Sequence, residues 1–423
     1  MFLPRSFAEY SRLYVITHDA TLCVITYNLR KPYMRPPLTL SHLTFPAIVA
    51  GFVAVLVGYT SSAAIIFQAA AAAGASPLQI GGWLTMLGLG MGATSLGLSL
   101  WYRTPVLTAW STPGAALLVT SLPGTPLNEA IGVFIFASAL ILICGVTGLF
   151  ARVMNAIPQA ISAAMLAGIL LRFGMDAFGA LQVNFALSGS MCLVYLLARR
   201  LLPRYAIILT LLAGLLVAAI QGNIHVMPGQ SRVMPQFIAP HFSLSSLLGI
   251  GIPFFVVTMA SQNAPGIATL KAHGYTLPVS PLIAWTGLTA LLLAPFGGFT
   301  VCIAAITAAI CMGPEVHSDP QRRYWAAAAA GVFYLLAGVF GGAIGGLFTA
   351  LPQAMIHTIA GLALLGTLAA SLQRALSDEK QRDAAAIAFL ITASGVTLLG
   401  VGAAFWGLIG GVIAHLILTQ AKR

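Results

Sequence analysis

Two adjacent amide side chains, Gln262 and Asn263, stand inside a long apolar run, in the stretch 261–266 with the sequence SQNAPG. Burying an amide among apolar residues is unfavourable unless the group finds a hydrogen-bond partner. The partner is either a neighbouring helix or a bound ligand. We expect a ligand for this pair, whereas isolated serines and threonines in such runs more often bond between helices.

A second polar motif, 108–114 with the sequence TAWSTPG, combines hydroxyl groups with helix breakers. Pro113 suits the first turn of a helix, and Gly114 lets a ligand approach the backbone. A helix that starts within an apolar layer leaves free N–H groups and a partial positive charge there, which can hold a carboxylate without Lys or Arg. A similar start is expected near Ile303. The candidate binding residues are Ser61, Ser62, Thr108, Ser111, Thr112, Pro113, Gly114, Gln262, Asn263, Thr300, Ile303 and Ala304.

Acidic residues are scarce, and none of them falls in the runs that carry these candidates. Arg172 and Asp176 are four residues apart and could pair on one helix face, as an interface ion pair or as part of a gate or proton path. No cysteine pair has metal-ligand spacing, and no hydrolase, nucleotide-binding or zinc-protease motif occurs. We therefore expect no metal, cofactor or catalytic residues, and an enzyme is the least expected class.

The composition defines the elements that must position these residues. Only 7% of the 423 residues are charged and 59% are hydrophobic, so the chain lacks the polar residues that cover a soluble protein. Apolar runs of about 20 residues recur, each long enough for a bilayer core of roughly 30 Å. The formal charge of +11 does not indicate a nucleic-acid partner, because the basic residues stand singly between apolar runs.

The runs divide into about 14 segments, which predicts an all-α membrane protein. Segment three (105–121) is broken by Pro113, and segment ten (300–312) is short, at about 20 Å if fully helical. Segment twelve is predicted over 347–372. Paired short or interrupted spans in two halves of a chain mark the binding site of many transporters.

The basic residues predict the orientation. With a cytoplasmic N-terminus, 18 of the 20 basic residues fall inside and only Arg172 and Arg232 fall outside. This bias supports 14 crossings of the inner membrane with both termini in the cytoplasm.

The domain organisation follows from that count. A first repeat of seven spans covers 41–221, an external loop covers 222–243, and a second repeat covers 244–423. Because seven is odd, the repeats have opposite orientation. Residues 1–40 form a polar extension, disordered or arising from a misplaced start, and Met34 is the expected true start.

The stretches 103–114 (RTPVLTAWSTPG) and 261–266 (SQNAPG) resemble the benzoate:proton symporter, or BenE, family of inner-membrane transporters. The resemblance implies a fold similar to that of uracil permeases, with 14 spans in a seven-plus-seven inverted repeat. It implies a core domain (segments 1–4 and 8–11) and a gate domain (5–7 and 12–14), with a short strand and a half-helix in segments three and ten. Where nucleobase carriers have a glutamate in the eighth span, this chain has Ser-Gln-Asn, which suits an anionic or co-protonated substrate.

Three functions follow as hypotheses. The first is proton-coupled import of benzoate or a related aromatic carboxylate, in which the proton can travel on the carboxylate itself. The second is carriage of another organic anion or a nucleobase, and the third is an anion channel on the same fold. The expected partners are the small molecule, protons and lipid, and a homodimer is compatible with each hypothesis.

Overall fold

Helices dominate the computed structural model, which describes residues 43–150, 152, 158–224, 233–399 and 401–420, all within the unit Arg35–Arg423. They are α1 (Phe45–Ala72), α2 (Pro77–Tyr102), α3 (Thr112–Ser121), α4 (Leu127–Thr147), α5 (Gln159–Val183), α6 (Phe185–Leu201), α7 (Ala206–Ile220), α8 (Leu244–Ala272), α9 (Val279–Leu293), α10 (Ile306–Met312), α11 (Tyr324–Val339), α12 (Gly341–Ala350), α13 (Gln353–Leu376), α14 (Arg382–Ala393) and α15 (Ala403–Gln420). Two short strands, β1 (Thr108–Ala109) and β2 (Cys302–Ile303), precede α3 and α10.

Seven helices in the described part of the chain are long and apolar enough to cross a bilayer. They are α1, α2, α4, α5, α8, α9 together with the turn after it, and α13. Helices α11 and α12 meet at an angle of 64° and would make an eighth crossing if the bent pair forms one span. The chain is thus a helical protein with multiple apolar spans, while the count of 14 stays a prediction.

Local sequence signals explain where helices begin and end. Ser76 and Gln79 form a capping box at the start of α2, where the Ser76 N–H donates to the Gln79 side chain at 2.8 Å, and Pro77 occupies the first turn. Helix α2 ends where Arg103 turns left-handed, at φ 53°. The predicted start of segment twelve at residue 347 is wrong, because residues 347–350 belong to α12. Leu351, before Pro352, is extended, as expected for a residue that precedes proline, and α13 begins at Gln353.

The predicted strand and half-helix are present in both segments three and ten. Strands β1 and β2 pair antiparallel, with Thr108 opposite Ile303 and Ala109 opposite Cys302. The N–H of Ala304 also donates to the carbonyl of Leu107 at 2.9 Å. Backbone groups in an apolar layer cannot bond to water, so each interrupted segment satisfies part of its exposed backbone with the other. This pairing fixes the two half-helices beside each other.

The most extensive helix contacts fall into two groups. In the first, α11 packs on α1 and α2, and α9 packs on α4; in the second, α13 and α14 pack on α5, α14 packs on α15, and α6 packs on α7. Glycines allow the closest approach in the first group, since a Cβ on Gly88 would lie 2.5 Å from the Cα of Gly338. The first group contains predicted core segments and the second contains predicted gate segments. The inverted relation of the two repeats, 41–221 and 244–423, stays a prediction.

Two predicted regions fall partly or wholly outside the described residues. The extension 1–40, with Met34, lies outside them. Of the loop 222–243, residues 233–243 have no regular secondary structure and bond to α4 and to the turn after α9. The N–H of His241 donates to the carbonyl of Asn128, and that of Ile238 to the carbonyl of Pro295, both at 2.9 Å.

Candidate functional site

A cavity of about 580 Å³ lies beside the paired strands, within the size range of small-molecule binding sites. Both helix groups contribute to its wall. Helices α1 and α11 of the first group line one part together with α8 and the two strand–helix connections, and α5, α6, α7 and α13 of the second group line the rest. A cavity lined by two separately packed groups can open to different sides when the groups move against each other.

Six of the predicted binding residues line this cavity, and six do not. Those that line it are Ser61, Ser62, Thr112, Pro113, Gln262 and Ala304. The others, Thr108, Ser111, Gly114, Asn263, Thr300 and Ile303, are buried in the layer behind it. The structure therefore gathers the predicted residues in one place and divides them into a surface that a ligand could touch and a layer that supports it.

Thr108 shows how the supporting layer holds β1. Its hydroxyl lies 2.6 Å from that of Thr94 and 2.8 Å from that of Ser95, and its N–H donates to the Ser95 hydroxyl at 2.9 Å. The hydroxyl also donates to the carbonyl of Met91 at 3.0 Å. These bonds tie β1 to α2 and occupy both the hydroxyl and the N–H of Thr108.

The adjacent amides Gln262 and Asn263 have different surroundings. They lie in a π-helical turn of α8, Met259–Asn263, and Pro265 cannot donate to the carbonyl four residues earlier. The Asn263 side chain is fully buried, and its Oδ1 accepts the N–H of Ile303 at 3.0 Å. The Gln262 amide lines the cavity and makes no hydrogen bond to any described residue. One amide thus fastens β2 to α8, and the other is available to a ligand.

The two half-helix starts also differ. At α3, the Ser111 hydroxyl accepts the N–H of Gly114 at 3.0 Å, and Pro113 has no N–H, so Thr112 carries the one free N–H of the first turn. At α10, Ala305 provides no side-chain cap. Helix α10 has only 7 residues, so its dipole is too small to hold an anion by itself.

Gly114 does not face the cavity. A Cβ at this position would lie 2.6 Å from the Phe254 ring and 2.9 Å from the Thr258 hydroxyl. This glycine was expected to let a ligand approach the backbone; its surroundings instead require a small residue for the contact between α3 and α8.

Aromatic side chains form part of the cavity wall. Trp110 and Tyr334 line it, and the Trp110 ring meets that of Tyr59 edge-on at 4.8 Å between centroids. The Trp110 indole N–H donates to the Ser62 hydroxyl at 2.7 Å, and Ser62 donates to the carbonyl of Gly58 at 2.8 Å. Ser62 therefore positions the indole and has little capacity left for a ligand.

The charged residues of the wall are both basic. Arg199 on α6 and Arg374 on α13 line the cavity, and no Asp or Glu does so among the described residues. Neither guanidinium forms an ion pair or a hydrogen bond within the described part of the chain. The wall thus combines aromatic surface, uncommitted hydrogen-bonding groups and uncompensated positive charge, which suits an aromatic anion.

The predicted pairing of Arg172 with Asp176 is wrong. Both side chains are exposed on α5, neither lines the cavity, and they form no ion pair within 4.0 Å. An arginine placed four residues before an acid has the weaker of the two orientations on a helix, and exposed pairs contribute little.

Sequence reasoning missed Trp110, Tyr334, Arg199 and Arg374. Trp110 stands within the quoted motif 108–114, of which only the hydroxyl residues, Pro113 and Gly114 were candidates. The two arginines were counted as loop residues that fix orientation, whereas α6 and α13 continue to Leu201 and Leu376 and include them. The sequence of α13 did indicate that Arg374 shares a helix face with residues of the wall. Ala363, Thr367, Ala370 and Arg374 are spaced by three or four residues, which places them on one face.

Comparisons with known proteins agree with this architecture. The chain is 58% identical over 375 residues to the inner membrane protein YdcO of Escherichia coli K12. The aligned residues make up 88% of this chain and 96% of that protein. It is 42% identical over 377 residues to the benzoate membrane transport protein of Acinetobacter baylyi, covering 89% and 96% of the two chains. The solved structure of SLC26A9 matches with a TM-score of 0.64 at 13% identity, covering 99% of this chain and 73% of that one, which indicates a shared fold. Residues 41–417 match the model of the benzoate membrane transport protein family, BenE, and the chain belongs to that family.

Proposed function

We propose that the protein is a secondary active transporter that imports benzoate or a related aromatic carboxylate, with a proton, across the inner membrane. The observation that carries the proposal is the cavity, whose wall combines aromatic rings, the unbonded Gln262 amide and two arginines, with no carboxylate among the described lining residues. An aromatic carboxylate has an apolar ring and one anionic end, which match these two kinds of surface. The Acinetobacter relative, a benzoate membrane transport protein, supports the same substrate.

The substrate would lie with its ring against Trp110 and Tyr334. Its carboxylate would accept hydrogen bonds from the Gln262 amide and from the Thr112 hydroxyl, which both line the cavity. Ser61 lines it as well, but its hydroxyl donates to the carbonyl of Gly58 at 3.2 Å. Because the Gln262 and Thr112 donors are neutral, the site would bind the ionised acid and the protonated acid with similar affinities. A buried arginine in their place would favour the ionised form strongly.

The coupled proton would travel on the substrate. A carboxylate that takes one proton from the external solution becomes a neutral carboxylic acid, whose burial is far less costly. Release into the less acidic cytoplasm returns the proton to water. This route needs no acidic side chain, and none lines the cavity among the described residues.

Alternating access would use the two packing groups. The group with α5, α6, α7 and α13 would move against the group with α1, α8 and α11, so that the cavity between them faces each side in turn. The accompanying topology, with 14 crossings and both termini in the cytoplasm, rests on the distribution of basic residues. A homodimer is compatible with this arrangement.

The test is uptake of radiolabelled benzoate into proteoliposomes with and without an imposed pH gradient. We expect saturable uptake that accumulates when the outside is acidic and that ionophores abolish. Flux that does not saturate and ignores the pH gradient would indicate an anion channel instead. Saturable uptake of another organic anion or of a nucleobase, with no competition by benzoate, would indicate a different substrate on the same carrier.

A further inference from the structure

One face of α13 lines the cavity over the second half of the helix. Its residues Ala363, Thr367, Ala370 and Arg374 all contribute to the wall, at spacings of three and four. Eleven residues of helix rise by about 16 Å, so this stretch of the wall continues to the last turn of α13. Arg374 marks that end.

Arg199 reaches the same stretch of wall from α6. It stands one turn after Tyr195, which also lines the cavity. Its Nη2 atom lies 3.7 Å from the place that a Cβ on Gly366 would occupy, so the guanidinium lies along the backbone of α13. Arg199 on α6 thus reaches the wall beside Gly366, about 12 Å of helix rise before Arg374 on the contacting helix α13. We call the stretch of cavity between the two arginines the mouth.

Two general roles for such arginines do not account for this placement. Basic residues in the last turn of a helix complement its dipole, and they also fix membrane orientation. Arg200 satisfies both roles at the same helix end and does not line the cavity. Arg199 and Arg374 line the cavity, and neither has an ion-pair partner in the described chain. An anion from outside the protein would supply that partner.

We propose that Arg199 and Arg374 form a second anion site at the mouth, which receives the substrate carboxylate between the inner site and the aqueous phase. This inference rests on the proposed function for the identity of the anion. Both guanidiniums are exposed, so binding there requires little desolvation and is weak and sensitive to salt. Such a site raises the local concentration of carboxylate at the mouth and speeds its exchange with the inner site on that face alone.

Kinetics measured separately from each membrane face test the proposal. The variants are Arg199→Gln, Arg374→Gln and the double variant, with Arg200→Gln as the matched control and the double lysine variant as a rescue. Benzoate transport is measured in right-side-out and inside-out vesicles. We expect the double glutamine variant to raise the KM by about tenfold on the mouth face alone, with kcat within about twofold of the wild type. Arg200→Gln should leave both faces unchanged, and the lysine pair should restore most of the affinity.

A measurement on the wild type covers the case in which the glutamine variants fail to fold. Raising the ionic strength should raise the mouth-face KM and leave the KM at the other face unchanged. Equal KM values for the double variant and the wild type, or equal salt effects at the two faces, would overturn the mouth site while the carrier function stands. Wild-type vesicles that take up no benzoate would overturn the proposed function, and the mouth site with it.

Discussion

The strand–helix pair β1–α3 and its counterpart β2–α10 share an architecture and differ in chemistry. Helix α3 has 10 residues and a first turn that Ser111 and Pro113 largely satisfy. Helix α10 has 7 residues and no side-chain cap, and the strand before it depends on Asn263 of α8. Side chains of α2 bond to the first strand and Ser111 caps its half-helix, whereas a side chain of α8 bonds to the second strand.

This difference changes the picture of how the protein could hold an anion. Two equivalent helix N-termini, each with about half a positive charge, would form a symmetric carboxylate site. With one terminus capped and the other on a two-turn helix, neutral side-chain donors and the distant arginines become the better candidates. Equivalent positions in the two halves of a chain therefore do not imply equivalent contributions to binding.

The largest expected effect is on β2. Asn263→Leu removes the acceptor of the Ile303 N–H and leaves that group buried without a partner, which should destabilise the protein by about 3 kcal/mol. Thermal unfolding in detergent measures the change. Gln262→Leu, one residue away, is the matched control: its stability should equal that of the wild type, while benzoate binding falls at least about tenfold. Equal losses of stability in the two variants would contradict the division of roles.

A smaller effect is expected where α3 meets α8. Gly114→Ala places a methyl group 2.6 Å from the Phe254 ring, so the helices must separate slightly, at about 2 kcal/mol of stability. Gly97→Ala on α2, where a Cβ would meet nothing within 4 Å, serves as the control and should be neutral or slightly stabilising. Unfolding midpoints of the two variants are the measurement. A Gly114→Ala protein with wild-type stability and impaired benzoate binding would show that this glycine belongs to the ligand site.

The smallest effect concerns the cap of α3. Ser111→Ala removes the acceptor of the Gly114 N–H and should lower stability by about 1 kcal/mol. The neighbouring Thr112→Ala, whose hydroxyl makes no hydrogen bond within the described residues, should leave stability unchanged. If Ser111→Ala instead tightened benzoate binding without loss of stability, the Ser111 hydroxyl would compete with the anion for the N–H groups at the start of α3. Helix α3 would then belong to the binding site.

Much of the fold was visible in the sequence because proline and glycine mark it directly. Pro113 identified the start of a half-helix in segment three, and the shortness of segment ten identified its counterpart. The break between α12 and α13 was missed, since residues 341–350 continue the apolar composition of their surroundings. Only the extended conformation of Leu351 before Pro352 separates the two helices.

The site was predicted in position and only partly in its contacts. Gln262 and Asn263 are adjacent and chemically alike, and a π-helical turn directs one to the cavity and the other to β2. No pattern in one sequence reveals which side chain meets which neighbour across the fold. Arg199 and Arg374 were hidden for a related reason, because a basic residue at a helix end is the same in sequence whether it faces solvent or a cavity.

The most direct test of the account is the position of a bound aromatic carboxylate. Crystals of the wild-type protein with 4-bromobenzoate would locate the bromine by its anomalous scattering. We predict one strong peak inside the cavity, close to Trp110 and Tyr334, with the carboxylate density directed at the Gln262 amide. A peak elsewhere in the protein, or none in crystals of a preparation that transports the compound, would contradict the assignment of this cavity as the substrate site.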